Sequence, residues 1–339
     1  MEIRESYPLK SLNTFGIETY ARFYAEAKTV EDLQGFLSES RYQNIPKLIL
    51  GGGSNILFTN KSLDYAVLKN NILGIEKVKE DTEHVYIKAG AGENWNGLVR
   101  YCIENNYAGI ENLSLIPGNV GAGPMQNIGA YGVELKDVFH ELEALHLTDR
   151  NMHTFSAAQC EFGYRESVFK RKAKGRYIIT SVTLRLNKTP VFNTSYGAIT
   201  KELEQMGVRD LSIAAISKAV CAIRNSKLPD PKVTGNAGSF FKNPEINAAE
   251  FKRLSIQFPG LVSYPLEGER FKLAAGWLIE QCGWKGKRFG DAGVHPLQSL
   301  VLVNYGNASG SEITALSSKI IDSVKEKFGV DLEREVNII

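Results

Sequence analysis

The segment from Ile116 to Asp137, IPGNVGAGPMQNIGAYGVELKD, constrains this chain more than any other. It carries five glycines, Gly118, Gly121, Gly123, Gly129 and Gly132, with two prolines and the pair Gln126-Asn127 among them. Glycine in this density strips side chains away, so that backbone N–H groups can approach something closely. A planar, anionic ligand with a diphosphate needs such a surface. A second cluster, Gly51-Gly52-Gly53-Ser54-Asn55, directly follows the apolar run Leu48-Ile49-Leu50. Two such loops in one chain point to a large dinucleotide held between them.

Neither cluster is a standard nucleotide motif. The Rossmann fingerprint needs GxGxxG, and Ile56 stands where the third glycine belongs in the first cluster. In the second, Gly118, Gly121 and Gly123 come in the wrong order. Neither has the lysine of a P-loop.

The 339 residues suffice for two or three domains, and 43% apolar content gives an ordinary core. With a net charge of +2 and charges of both signs spread along the chain, no basic block points to nucleic acid. No apolar run reaches the roughly 20 residues of a membrane span. The start, MEIRESYPLK, has no apolar secretory region. Cys102, Cys160, Cys221 and Cys282 lie far apart without a CxxC, which reads as reduced thiols in a cytoplasmic protein with no metal site.

Periodicity predicts helices over Thr29–Leu37 with Thr29 as N-cap, Trp95–Glu104, Leu211–Arg224, Ala248–Phe258, Ala274–Gln281 and Ser311–Lys327, the last starting at Ser311 or Gly310. Strands are expected at Lys47–Leu50, from Asn55, from Ala66, at 84–92, Asp137–Leu147, Tyr177–Leu186, Leu300–Asn304 and Val330–Val336. Ser226 to Pro231, with two prolines, reads as an extended linker and a boundary.

A family resemblance covers essentially the whole chain, in order. Its strings are NTFGI (13–17), LGGGSNILF (50–58), AGAGENWNGLV (89–99), the long glycine segment, FGYRESVFK (162–170), SKLPDPKVTGNAGSFFKNP (226–244), GDAGVHPLQSLVLVN (290–304) and LEREV (332–336). The chain resembles the UDP-N-acetylenolpyruvoylglucosamine reductases of peptidoglycan synthesis, the MurB family, in the subtype with a tyrosine loop. The departures are local: Asn119 and Gly123 in the glycine segment, and Asn337 after LEREV.

The resemblance implies an α+β fold: a two-subdomain FAD-binding module of the vanillyl-alcohol-oxidase (PCMH) type, followed by a C-terminal α+β substrate domain. The expected division is 1–70 and 71–225 for the FAD subdomains, 226–328 for the substrate domain, and 329–339 for a C-terminal strand returning to the active site. Noncovalent FAD and the co-substrate NADPH are implied, in a cytoplasmic monomer. By position in the strings, FAD contacts fall to Gly51, Gly52, Gly53, Ser54, Asn55, Pro117 and Gly118. They continue through Val120, Gly121, Gln126, Asn127, Gly129, Tyr131 and Gly132. Tyr164, Tyr196, Lys227, Asn243 and Gln298 are the implied substrate contacts.

The family reaction reduces an enolpyruvyl ether to a lactyl ether. Hydride added to the terminal carbon drives negative charge into C2 and its carboxylate, which needs stabilisation. Arg165, with its planar fork, matches the family's carboxylate partner. Glu335 matches its acid, useful in the neutral form if a poorly hydrated site raises its pKa. Ser239 matches its proton donor to C2. On the residues alone, Arg165 beside Glu166 reads equally as a surface ion pair, and Ser239 before Phe240-Phe241 as a turn residue. Glu333 and Glu335 likewise read as strand carboxylates on one face. His295, Trp277 and Trp284 read as structural. A flavin-dependent alcohol oxidase of the same fold superfamily is the alternative, and a silent nucleotide-binding module a third reading. An oxidase, however, has no use for a proton donor to carbon.

Overall fold

The computed structural model describes all 339 residues. They form two compact units, each assembled from three segments: Met1–Tyr7, Ala21–Gly52 and Leu63–Ser226 in unit one, and Pro8–Tyr20, Gly53–Ser62 and Lys227–Ile339 in unit two.

Unit one holds two sheets. The first has the strand order Ile3–Pro8, Tyr20–Ala27, Ser62–Asn70, Lys47–Leu50. Its last pair is parallel, with Leu50 opposite Lys69. Helix Val30–Ser38 packs Leu33 and Phe36 into the adjoining core. Its start is a capping box, in which Thr29 accepts from the Asp32 N–H while the Asp32 side chain accepts from the Thr29 N–H. The second sheet is antiparallel in the order Met152–Ser156, Phe139–His146, Tyr177–Asn187, His84–Gly90, Ile75–Glu80. Helix Trp95–Glu104 lies exactly where its apolar spacing puts it and buries Trp95, Leu98, Val99 and Cys102. Asn94 caps it by accepting from Gly97 N–H at 2.9 Å. Two further helices, Gly197–Gln205 and Ile213–Lys227, bury Ile199, Leu203, Ile216, Val220 and Ile223 against each other.

Unit two is built on the antiparallel sheet Gly235–Ser239, Val301–Asn304, Ala292–Val294, Arg288–Phe289, and on helix Gly310–Phe328. A small sheet orders Glu245–Asn247, Arg270–Leu273 and Ser263–Leu266. The NTFGI string proves to be a packing device. The Asn13 side chain ties both ends of the turn, donating to the Leu9 and Ile17 carbonyls at 2.9 Å and accepting from Ile17 N–H at 2.9 Å. Phe15, fully buried, then packs edge-on against Phe240.

Two expectations are corrected. Helix Ile213–Lys227 runs into the expected linker, because Pro229 restricts only the residue before it, Leu228. The last helix starts at Gly310, one of the two starts expected, with Ser309 as its N-cap and Glu312 as the box partner. Val330–Val336 is not a strand. It makes one isolated bridge, Arg334 with Phe241, and the terminal strand is Asn337–Ile338, parallel to Ile56–Leu57.

All four cysteines are free. Burial pushes the Cys102 and Cys160 thiols up to about 12. A thiol reagent at about pH 8 is therefore expected to label Cys221 and Cys282 first and to leave Cys102 and Cys160 untouched until denaturant is added. Equal labelling of all four in native protein would contradict this burial.

Candidate active site

Within unit one the two glycine clusters meet. A Cβ on Gly52 would lie 2.8 Å from Gly118 Cα and 2.9 Å from Asn119 Oδ1, so no side chain fits between the loops. The string 89–99 supports this junction through its own backbone. Trp95 N–H donates to Gly118 O, Val120 N–H to Glu93 O, and Gly121 N–H to Ala91 O, at 2.9–3.0 Å. Asn119, a departure from the family pattern, donates from Nδ2 to Gly92 O at 2.7 Å and so braces the same junction. Val120 is fully buried in the core, so its side chain anchors the segment. The Gly52 N–H donates to no acceptor in the chain. A bare backbone surface with an unspent donor fits the diphosphate of FAD. Gly53 has a different reason: at φ +64 its Cβ would fall 1.9 Å from Leu12 O, inside unit two, so chain packing alone demands glycine.

The second half of the glycine segment meets the FGYRESVFK string, also in unit one. Asn127 is fully buried at φ 45 and makes three hydrogen bonds of 3.0 Å. It donates to Glu134 Oε2 and Gly163 O, and it accepts from Lys136 N–H. Arg165, at φ 54, donates from Nη2 to Gly129 O at 2.8 Å and sits near the Tyr164 ring. Tyr131, at φ 51, meets Tyr196 edge-on at 5.3 Å. Three non-glycine residues with left-handed backbone in one locality mark stored strain, which concentrates at functional sites.

The sequence reading missed Arg224. It projects from helix Ile213–Lys227, lies beside the Tyr131 phenol, and is near enough to Arg165 to be repelled by it. Burial depresses its pKa, and Arg165 adds to the depression. Two guanidiniums thus share one partly buried place, each raising the cost of the other's charge. The available signal was the absence of any acid three or four residues from Arg224 on its helix: those positions hold Val220, Cys221, Lys227 and Leu228.

In unit two, Ser239 ends the strand Gly235–Ser239 just after Gly238 at φ +68, half-buried, with Phe240 and Phe241 anchored in the core behind it. Glu335 is laid alongside, its N–H donating to Phe240 O at 2.8 Å and its carbonyl accepting from Asn55 Nδ2 at 3.3 Å. This separates the two candidate carboxylates. Glu335 is half-buried, whereas Glu333 is exposed and paired with Lys242 at 2.5 Å. Asn337, another departure from the family pattern, donates to Asn55 O at 2.9 Å and so holds the end of the first glycine cluster. Asn243 and Gln298 converge on the start of helix Ala275–Gln281: Asn243 Oδ1 accepts from Ala275 N–H at 2.9 Å, and Gln298 Oε1 lies against Gly276. Lys227 and Tyr196 are exposed. The His295 Nδ1 accepts from the Leu297 N–H at 3.4 Å.

Residues 21–154 match the family described as FAD binding domain, and residues 230–339 match the UDP-N-acetylenolpyruvoylglucosamine reductase C-terminal domain. The chain is 53% identical to the UDP-N-acetylenolpyruvoylglucosamine reductase of Amoebophilus asiaticus over 339 residues, all of both chains. It belongs to the UDP-N-acetylenolpyruvoylglucosamine reductase family. The reductase of Flavobacterium johnsoniae is 49% identical over all of both chains, and that of Pseudomonas aeruginosa is 47% identical over 100% of this chain and 99% of its own. The crystal structure of the Thermus caldophilus reductase shares the fold, with a TM-score of 0.67, 24% identity, and 99% and 98% of the two chains covered. The α+β class with an FAD-binding module is therefore the one expected, and FAD is the cofactor of this reductase.

Replacing Asn127 by Ala removes three buried hydrogen bonds and leaves alanine in a left-handed backbone. Denaturant unfolding should show a loss of about 3 kcal/mol. A loss below about 1 kcal/mol would mean that the glycine segment holds its shape without Asn127.

Proposed function

We propose that this chain reduces the enolpyruvyl ether of UDP-N-acetylglucosamine enolpyruvate to the lactyl ether of UDP-N-acetylmuramate, with NADPH as the electron source. The observation that carries this reading is the pairing of a hydroxyl and a carboxyl, Ser239 and Glu335, on neighbouring backbone held by the Glu335 N–H to Phe240 O bond. Adding hydrogen across a carbon–carbon double bond needs a proton source at one carbon and an acid near the charge that develops. An oxidase needs neither.

When bound, FAD supplies the hydride relay, from NADPH to flavin N5 and on to C3 of the enolpyruvyl group. Arg165 holds the substrate carboxylate in its planar fork, and Arg224 behind Tyr131 adds positive potential where charge accumulates. Protonated Glu335 donates a hydrogen bond to the developing enolate. Ser239 delivers its hydroxyl proton to C2. A weak acid suffices there, because an enolate carbon is a strong base and the donor is fixed by the strand end. Tyr164, Tyr196, Lys227, Asn243 and Gln298 position the UDP-sugar. The Gly51–Asn55 loop and the 117–132 segment hold FAD. In this reading 1–70 and 71–225 serve the cofactor, 226–328 the substrate, and 329–339 brings Glu335 into play. The enzyme works as a cytoplasmic monomer.

Anaerobic spectroscopy tests the proposal. The flavin band should bleach with NADPH and return when UDP-N-acetylglucosamine enolpyruvate is added. Reoxidation by oxygen alone would sink the reductase reading. In Ser239→Ala, bleaching by NADPH should stay within about twofold of wild type while substrate-driven reoxidation slows by roughly 10²- to 10⁴-fold. Equal slowing of both half-reactions would remove Ser239 from the proton-transfer role.

A further inference from the structure

Lys69 belongs to none of the strings that carry the resemblance, yet it reaches the first glycine cluster from below. In the parallel ladder it stands opposite Leu50, the residue before Gly51. Its Nζ donates to the Gly51 carbonyl. A trans peptide points its N–H opposite to its C=O. Drawing the Gly51 carbonyl toward Lys69 therefore turns the Gly52 N–H the other way. That N–H is the donor with no acceptor in the chain, on the residue pressed against Gly118 and Asn119.

The Lys69 ammonium is half-buried and in no ion pair, and burial lowers its pKa. Glu26 opposes that shift by favouring the charged form, but is itself held by other donors. The Tyr24 hydroxyl donates to one Glu26 oxygen at 2.7 Å and Asn71 Nδ2 to the other at 2.9 Å. Tyr24 in turn is stacked on Tyr7 at 3.9 Å, so the strut is rigid.

We propose that Lys69 is a positioning residue for the FAD diphosphate: it fixes the Gly51–Gly52 peptide so that the Gly52 N–H faces a phosphate oxygen, and it sets a positive charge behind that donor. The proposal rests on FAD being held at this loop. It separates two jobs that a glycine loop alone cannot do, since glycine leaves the peptide plane free to rotate.

The test uses full-length protein stripped of flavin. FAD is titrated by quenching of its fluorescence, with ADP and riboflavin as partial ligands. Lys69→Met should weaken FAD and ADP alike by about 10- to 100-fold, the range for a lost hydrogen bond to a charged group. Riboflavin, which has no diphosphate, should change by less than about twofold, and Lys69→Arg should bind FAD within about threefold of wild type. Circular dichroism and thermal unfolding check that each variant is folded. If Lys69→Met does not fold, Lys69→Gln, which keeps a polar end but no charge, carries the same comparison. A folded variant that binds FAD and ADP as wild type does overturns the proposal, as does equal weakening of riboflavin. Failure of wild-type protein to bind FAD would instead overturn the assignment of this loop to the cofactor.

Discussion

The contact on which the site in unit one depends is the approach of two backbones, Gly52 against Gly118 and Asn119, at a distance that leaves no room for a side chain. Backbone N–H groups are short, fixed donors. They can surround an anion only where nothing projects between them and it. The approach holds because each loop is tied down from behind. The Lys47–Leu50 strand and Lys69 anchor the first, and hydrogen bonds from residues 91–95 anchor the second. The glycines are permissive, and the surrounding bonds make the geometry specific.

Beside this neutral cradle, the same unit carries a charged place of another kind. Arg165 and Arg224 repel one another, and Asn127, Tyr131 and Arg165 all hold a left-handed backbone that side chains disfavour. Such an arrangement persists only if the surrounding bonds over-determine it. The three bonds of Asn127 and the grip of Arg165 on Gly129 do so. In the proposed function an anionic substrate bound there relieves this repulsion. In unit two the chemistry is of the opposite sign: a hydroxyl and a carboxyl, held by ordinary backbone pairing beside a buried pair of phenylalanines.

Much of this was legible in the sequence. The helix at Trp95–Glu104 and the capping box at Thr29 follow from spacing and from local hydrogen bonds that short segments satisfy by themselves. The glycine clusters announced a backbone surface, though not that packing against Leu12 by itself demands a glycine at Gly53. What stayed hidden depends on partners distant in the chain. The terminal strand pairs with residues near Ile56, which no local alternation can reveal, so the strand was expected several residues too early. The start at Gly310 was legible, but its N-cap Ser309 was not named, although the spacing to Glu312 is that of a capping box. The choice of Glu335 over Glu333 came from resemblance; the structure adds that Glu333 is exposed and paired with Lys242. Arg224 was hidden because a polar residue on an amphipathic helix looks solvated until Tyr131 and Arg165 are placed beside it.

The most direct test of the backbone cradle is the FAD affinity of flavin-stripped Gly52→Ala, measured beside wild type by fluorescence quenching. The added methyl must push the loops apart, displacing donors on both. The account predicts a loss of at least about 100-fold with the far-ultraviolet dichroism unchanged. A folded Gly52→Ala protein that binds FAD as tightly as wild type would show that the cofactor is held elsewhere.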